Sequence, residues 1–171
     1  MSTDVENNTA ETDLDDVDLG DEYLTFSLAD EEYGVDILRV QELRGWEAVT
    51  RIPNSPGFVK GVLNLRGAIV PIIDLRERFN LPVSDYTETT VVIVLSVKDG
   101  KAGNEGNERT MGVVVDSISD VVHAKMSDIQ ATPKFGSALD TEYISGLADA
   151  DGIMLMLLNV DAMLSISGMG G

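Results

Sequence analysis

The chain becomes periodic from about residue 22. Leu24, Phe26 and Leu28 alternate with Tyr23, Thr25 and Ser27, the period-2 pattern of a strand with one buried face. After a polar turn over residues 29–32, Tyr33, Val35 and Ile37 alternate with Gly34 and Asp36 and complete a hairpin. Residues 61–65 and 68–73 form a second hairpin around Arg66-Gly67, a two-residue turn in which glycine supplies a positive φ. Further strands are expected over 90–97, 111–116, 143–147 and 153–158, and Val121-Val122-His123 is also strand-like. Residues 91–95 and 153–158 are apolar on both faces, so these two strands should lie between layers.

Two short helices interrupt the strands. Asp74 is a suitable N-cap for a helix over 75–79, whose Leu75 and Phe79 share a face before Asn80 and Pro82 stop it. Asn159 caps a second helix over 160–164 in the same way. The all-polar, glycine-rich stretch 98–110 reads as a mobile hairpin loop.

The chain also repeats itself. A shift of 78 places Gly34, Val35, Ile37, Val40, Glu42 and Leu43 on Gly112, Val113, Val115, Ile118, Asp120 and Val121, and a shift of 80 places Pro53 on Pro133. A shift of 85 places Phe58, Val59, Gly61 and Val62 on Tyr143, Ile144, Gly146 and Leu147, and Asp74-Leu75 on Asn159-Val160. Collinear matches whose offset drifts through loop insertions predict two copies of a unit of about five strands, packed as two small barrels.

Charge divides the chain differently. Of its 171 residues, 30 are acidic and 12 basic, a net charge of −18 that makes nucleic acid and anionic lipid poor partners. Nine of the acids lie in residues 1–22, which contain no Lys or Arg, so 1–21 reads as a disordered acidic tail. Residues 22–165 form the folded part, with a first lobe over about 22–85 and a second over about 86–165 between which strands can cross. Residues 166–171 read as a flexible C-terminal tail. The longest apolar run, residues 153–158, is far short of a membrane span of roughly 20 residues, and no secretory signal is evident. Cysteine is absent, which removes disulfides, thiolate nucleophiles and cysteine-containing metal sites.

Catalytic chemistry finds little support. The single histidine, His123, reads as a half-exposed strand residue, and no nucleophile-elbow, zinc-protease or Walker sequence occurs. Asp149-Ala150-Asp151-Gly152 looks like part of a calcium loop, but position 12 would be Val160 or Leu158, neither of which supplies the bidentate carboxylate that such a loop needs. A hairpin turn is the better reading. Asp30-Glu31-Glu32 is an acidic turn whose neighbouring side chains point to opposite faces. No catalytic residue, metal site or cofactor is expected.

What remains is a binding module. The stretches 30–45, from Asp30-Glu31-Glu32-Tyr33-Gly34-Val35 to Glu42-Leu43-Arg44-Gly45, then Gly61-Val62-Leu63-Asn64-Leu65-Arg66-Gly67, Val70-Pro71-Ile72-Ile73-Asp74-Leu75-Arg76 and Thr90-Val91-Val92-Ile93-Val94, closely resemble the CheW family of bacterial chemotaxis coupling proteins. The resemblance runs from about Glu22 to Leu164. It implies a mainly β fold of two packed five-stranded SH3-like barrels with short helices. It also implies a cytoplasmic adaptor without catalytic activity that joins the tips of methyl-accepting chemotaxis receptors to the regulatory domain of the histidine kinase CheA. Receptor and kinase contacts in the family fall at positions matching Val40, Glu42, Gly61, Arg66, Val91 and Val92.

Pattern alone gives each of these a plainer role. Arg66 would be a solvated turn residue, Glu42 an exposed acid on a strand edge, the valines core, and Gly61 a backbone requirement. Competing functions are a CheV-like protein, an excised kinase regulatory domain, or an enzyme on a barrel scaffold. The first two need further domains, and the third needs chemistry the residues do not offer.

Overall fold

The structure, a computed structural model, describes residues 21–82, 85–98, 108–125, 128–130, 143–150 and 152–164. Of the tail expected over 1–21 and the loop expected over 98–110, residues 1–20 and 99–107 lie outside the described residues, as do Pro133 and 166–171, whereas Asp21, Lys98 and residues 108–110 belong to strands, which are longer than the polar sequence suggested.

The chain runs β1 (Asp21–Leu28), β2 (Glu31–Asp36), a 3-10 turn (Ile37–Arg39), β3 (Val40–Gly45), β4 (Val59–Leu65), β5 (Ala68–Asp74) and α1 (Leu75–Arg78). It continues with β6 (Val91–Lys98), β7 (Glu108–Val115), β8 (Ser117–Ala124), β9 (Ile129–Gln130), β10 (Ile144–Ala150), β11 (Ile153–Leu158) and α2 (Val160–Met163). The strands form two sheets, one ordered β8-β1-β2-β11-β10-β9 and the other β3-β6-β7-β5-β4. The mainly β architecture is as expected. One sheet holds six strands where five were expected, because the two-residue β9 pairs with β10 through Leu147–Gln130 and Ala148–Ile129.

The repeat explains both strand orders. Numbered one to five within each repeat, the strands of the first are β1–β5 and those of the second are β6, β7, β8, β10 and β11. Both sheets then read 3-1-2-5-4, with strands one and two from one repeat and three to five from the other. The sheets therefore do not divide at residue 85. The exchange is closed at its centre by two equivalent parallel pairs, β2 with β11 and β5 with β7.

Each crossing carries an ion pair between the repeats. Arg39, after β2, reaches Asp161 of α2 with both terminal nitrogens, at 2.8 and 2.7 Å. Its counterpart has reversed polarity: Arg76 of α1 donates to Asp116, after β7, at 3.0 Å. Arg76 is only 1% exposed and also holds Asp74, whose side chain caps the start of α1 by accepting from the Arg76 backbone N–H. The predicted caps Asp74 and Asn159 both perform that role.

Three apolar clusters fill the molecule. The largest lies between the sheets and takes Leu24, Phe26, Tyr33 and Val35 from one side and Ile73, Ile93, Leu95 and Val113 from the other. Burial pushes the Tyr33 phenol up to about 12, with Glu31 adding to it. The outer face of the five-stranded sheet has its own cluster of Leu63, Leu65, Val70, Ile72, Val92, Val94 and Val114. Ala124, Ala148, Leu155 and Leu157 make the third. Strand β6 thus sends Ile93, Leu95 and Val97 into one cluster and Val92 and Val94 into another, covered on both faces as its sequence required. The apolar run of β11 behaves likewise from Leu155 onward, but Ile153 and Met154 at its start are 52% and 56% exposed.

Candidate functional site

The contact candidates cluster on the five-stranded sheet. Arg66 and Gly67 form the tip of the β4–β5 hairpin, where Leu65 pairs with Ala68. Both central residues have positive φ, +51° and +89°, as a type I′ turn requires, and the Asn64 carboxamide oxygen accepts the Gly67 N–H. Gly67 adopts this backbone at no cost, but a long charged residue at the first central position is disfavoured, and Asn, Asp or Gly would be the ordinary choice. The Arg66 side chain is 74% exposed. A residue kept in a backbone conformation it disfavours, with its guanidinium in solvent, points to use of that guanidinium.

Glu42 of β3 receives it. Arg66 Nη2 donates to Glu42 Oε1, and Arg44 Nη1 donates to Glu42 Oε2 at 3.0 Å. Arg44 also holds Glu47 through Nη2 at 2.8 Å. The Arg66 hydrogen bond, followed by that from Arg44, holds the Glu42 carboxyl below the usual carboxylate range, so it stays ionised between two cations. Glu47, then Glu42, raise the pKa of Arg44. The network ties an edge strand of the sheet to the hairpin tip at its other side.

The remaining candidates stand behind this face. Gly61 is buried beside the β3–β4 connection, where Thr50 and Val62 exchange backbone hydrogen bonds of 3.0 and 2.8 Å. A Cβ on Gly61 would lie 2.3 Å from the Thr50 carbonyl oxygen, so only glycine permits this approach. Val40 and Val91 are half-buried against the main core, and Val92 is fully buried in the outer cluster. The structure therefore joins Glu42 and Arg66 directly, and puts Gly61 and Val92 where they shape the surface from beneath.

Sequence reasoning missed Arg44, Glu47 and the Trp46–Tyr86 pair. Arg44 was accessible in principle, since it lies two residues from Glu42 and shares its face of the strand. The aromatic pair was not, because its ring centroids meet at 4.2 Å across 40 residues of chain. Trp46 follows β3, and its backbone N–H donates to the carbonyl oxygen of Thr90, just before β6. Tyr86 donates its hydroxyl to the buried Asp74 at 2.8 Å and lies over the Arg76 guanidinium. Burial, then the bond to Asp74, raises the Tyr86 pKa. The surface network is thus backed by an interior one. His123 lies exposed on β8, and Asp149 accepts the Gly152 N–H in a β10–β11 hairpin turn, as its sequence suggested. Among the described residues no cluster of His, Cys, Asp and Glu could hold a metal ion, and no helix is long and apolar enough to cross a membrane.

Comparison with known proteins gives the family. The profile of the CheW-like domain family matches residues 22–167. The chain is 48% identical over 147 residues to the chemotaxis protein CheW of Klebsiella aerogenes, covering 86% of this chain and 83% of that protein. It is 29% identical over 150 residues to CheW of Bacillus subtilis, covering 87% and 90%. The crystal structure of the scaffolding protein TtCheW from Thermoanaerobacter tengcongensis is similar with a TM-score of 0.75 and 29% identity, over 87% of this chain and 95% of that one. The chain belongs to the CheW-like domain family and is a chemotaxis signal-transduction adaptor.

Proposed function

We propose that the chain works by binding alone, as a cytoplasmic protein that links the tips of methyl-accepting receptors to the regulatory domain of CheA and reaches the membrane only through them. The observation that carries this reading is Arg66, an exposed guanidinium on a left-handed turn residue, with one terminal nitrogen engaged by Glu42. Its remaining donors are available to a carboxylate or carbonyl on a partner, in the paired geometry that a guanidinium provides and an ammonium does not. Glu42, Arg66 and the half-buried Val40 and Val91 form the proposed contact, with Gly61 and Val92 supporting it from below.

The test is calorimetric titration of the chain with a receptor cytoplasmic fragment and, separately, with the kinase regulatory domain. The proposal expects saturable binding to both. Binding to neither would refute it. Hydrolysis or turnover of a small molecule by the purified chain would favour the enzyme reading instead.

A further inference from the structure

We infer that the face of β4 opposite Leu63 and Leu65, with the hairpin tip beyond it, docks an acidic segment of the same chain, the stretch between Asp4 and Asp15, and that this segment competes there with partners. Charge supplies the first argument. Residues 39–80 hold seven Lys and Arg against four Asp and Glu, whereas the rest of the chain holds five against 26. Of these cations Arg76 is buried, Arg39 is held by Asp161 and Arg44 by Glu42 and Glu47, which leaves Arg51, Lys60 and Arg66 along β4. Along β4, Lys60, Val62 and Asn64 alternate with the buried Gly61, Leu63 and Leu65 and so point away from that apolar cluster, and Arg66 follows at the hairpin tip, about 20 Å from Lys60 at roughly 3.3 Å per residue. Arg51 lies beside them, exposed and without an ion pair among the described residues. With Lys60, Pro53 and Pro56 it lines a groove of about 320 Å³. Lys60 is already held by Glu77, so Arg51 and Arg66 are the cations with most capacity left.

The second argument is fit. Asp4, Glu6, Glu11, Asp13 and Asp15 precede β1 with no intervening Lys or Arg. Glu11, Asp13 and Asp15 recur every second residue, so in an extended conformation they share one face. Ten residues separate Glu11 from Asp21, the first residue of β1, and 15 separate Glu6 from it. At roughly 3.4 Å per residue these reach about 34 and 50 Å, while a folded body of this size is about 38 Å across. Asp4 and Glu6 thus have the length to cross such a body, Glu11, Asp13 and Asp15 extend about 34, 27 and 20 Å from β1, and tethering holds all of them at an effective concentration in the millimolar range.

The docking does not depend on the adaptor reading. Its consequence does, since Arg66 belongs to both surfaces. If the docked and open forms are about equally populated, removing the tail charges raises partner affinity about twofold.

The chain contains no cysteine, so Thr12→Cys gives a single attachment site for a nitroxide in the intact protein. Paramagnetic broadening of backbone amides is expected to concentrate on residues 51–57 and 60–66. It should fade at 1 M salt, where the screening length falls to about 3 Å, and should be lost in Arg51→Gln/Arg66→Asn, a pair of surface changes that leaves the fold intact. Broadening that is uniform, that falls elsewhere, or that persists at high salt would overturn the inference. So would broadening seen only between copies, in a mixture of nitroxide-labelled chain with separate isotope-labelled chain, since the occupant would then be a second molecule. None of these results requires a receptor or kinase, so the inference and the adaptor proposal fail independently.

Discussion

Replacing Arg66 by asparagine separates the turn it occupies from the contact it is proposed to make. At φ +51° the backbone of Arg66 sits where an L-residue other than Asn, Asp or Gly pays about 1 kcal/mol, and Asn-Gly is the preferred pair for this turn. Arg66→Asn relieves that strain and loses one exposed hydrogen bond to Glu42. These changes oppose each other, so stability should stay within about 0.5 kcal/mol of the parent or rise slightly. For a domain of this size that is a shift of at most about 2 °C in melting temperature. Binding should respond far more. Removing one member of a desolvated charge pair costs about 2–5 kcal/mol, roughly 30-fold to several thousand-fold in Kd. Arg66→Lys should be intermediate, because it keeps the charge and loses the planar fork. Thermal unfolding and calorimetric titration with the receptor fragment and the kinase regulatory domain measure both effects. Unchanged affinity for both partners, in a protein that melts normally, would return Arg66 to a solvated turn. A drop of several degrees in melting temperature would make it a structural residue.

Three further outcomes follow from the surroundings of this face. Gly61→Ala places a methyl group 2.3 Å from the Thr50 carbonyl oxygen, so it should break the Thr50–Val62 bridge and destabilise the protein by about 2 kcal/mol or more in denaturant unfolding. Arg76→Leu strands the buried Asp74 and should cost about 3–5 kcal/mol, whereas Tyr86→Phe removes one hydrogen bond to that carboxylate and should cost about 1–3 kcal/mol. The Arg39 hydrogen bond, and after it the Lys98 backbone N–H, holds the Asp161 pKa below its ordinary value of 3.8. A carboxyl depressed on folding contributes stability that is present above its unfolded pKa and is lost as pH falls through the folded one. Asp161→Asn should therefore flatten the fall in melting temperature below about pH 4. With Asp161 35% exposed, the difference at neutral pH should stay near 1 kcal/mol or less. An identical acid profile in both proteins would count against the Arg39–Asp161 latch.

Local pattern carried the strands whose faces are simply buried or simply exposed. β1, β2, β5, β6 and β7 alternate or run apolar, and both helix caps follow from one side chain each. β3 escaped because its alternation is weak: Gln41, Leu43 and Gly45 are the exposed set and only half-buried residues lie between them, which is what an edge strand with a charged face looks like. The exchange of strand pairs was out of reach for a different reason. The repeat says that two similar units exist, but either unit could close on itself with the same hydrophobic pattern. The ion pairs at the crossings are long-range, with Arg39 meeting Asp161 across 122 residues and Arg76 meeting Asp116 across 40, so no local pattern reports them. At the contact face, Arg66 and Glu42 could be named from family resemblance, but their direct hydrogen bond spans 24 residues and nothing local encodes it. Val92 shows the limit of side-chain type as a guide, since the same residue suits an interface or a core and the structure buries it completely.

The central claim is that this chain joins two other proteins that do not otherwise assemble through it. Sedimentation velocity on a receptor cytoplasmic fragment, the CheA regulatory domain and the chain, each alone, in pairs and together, tests it directly. The account predicts a species containing all three whose amount rises with the chain and collapses with Arg66→Asn. If the chain binds receptor fragment and kinase domain only in mutually exclusive pairs, with no ternary species at saturating concentrations, the adaptor account is contradicted.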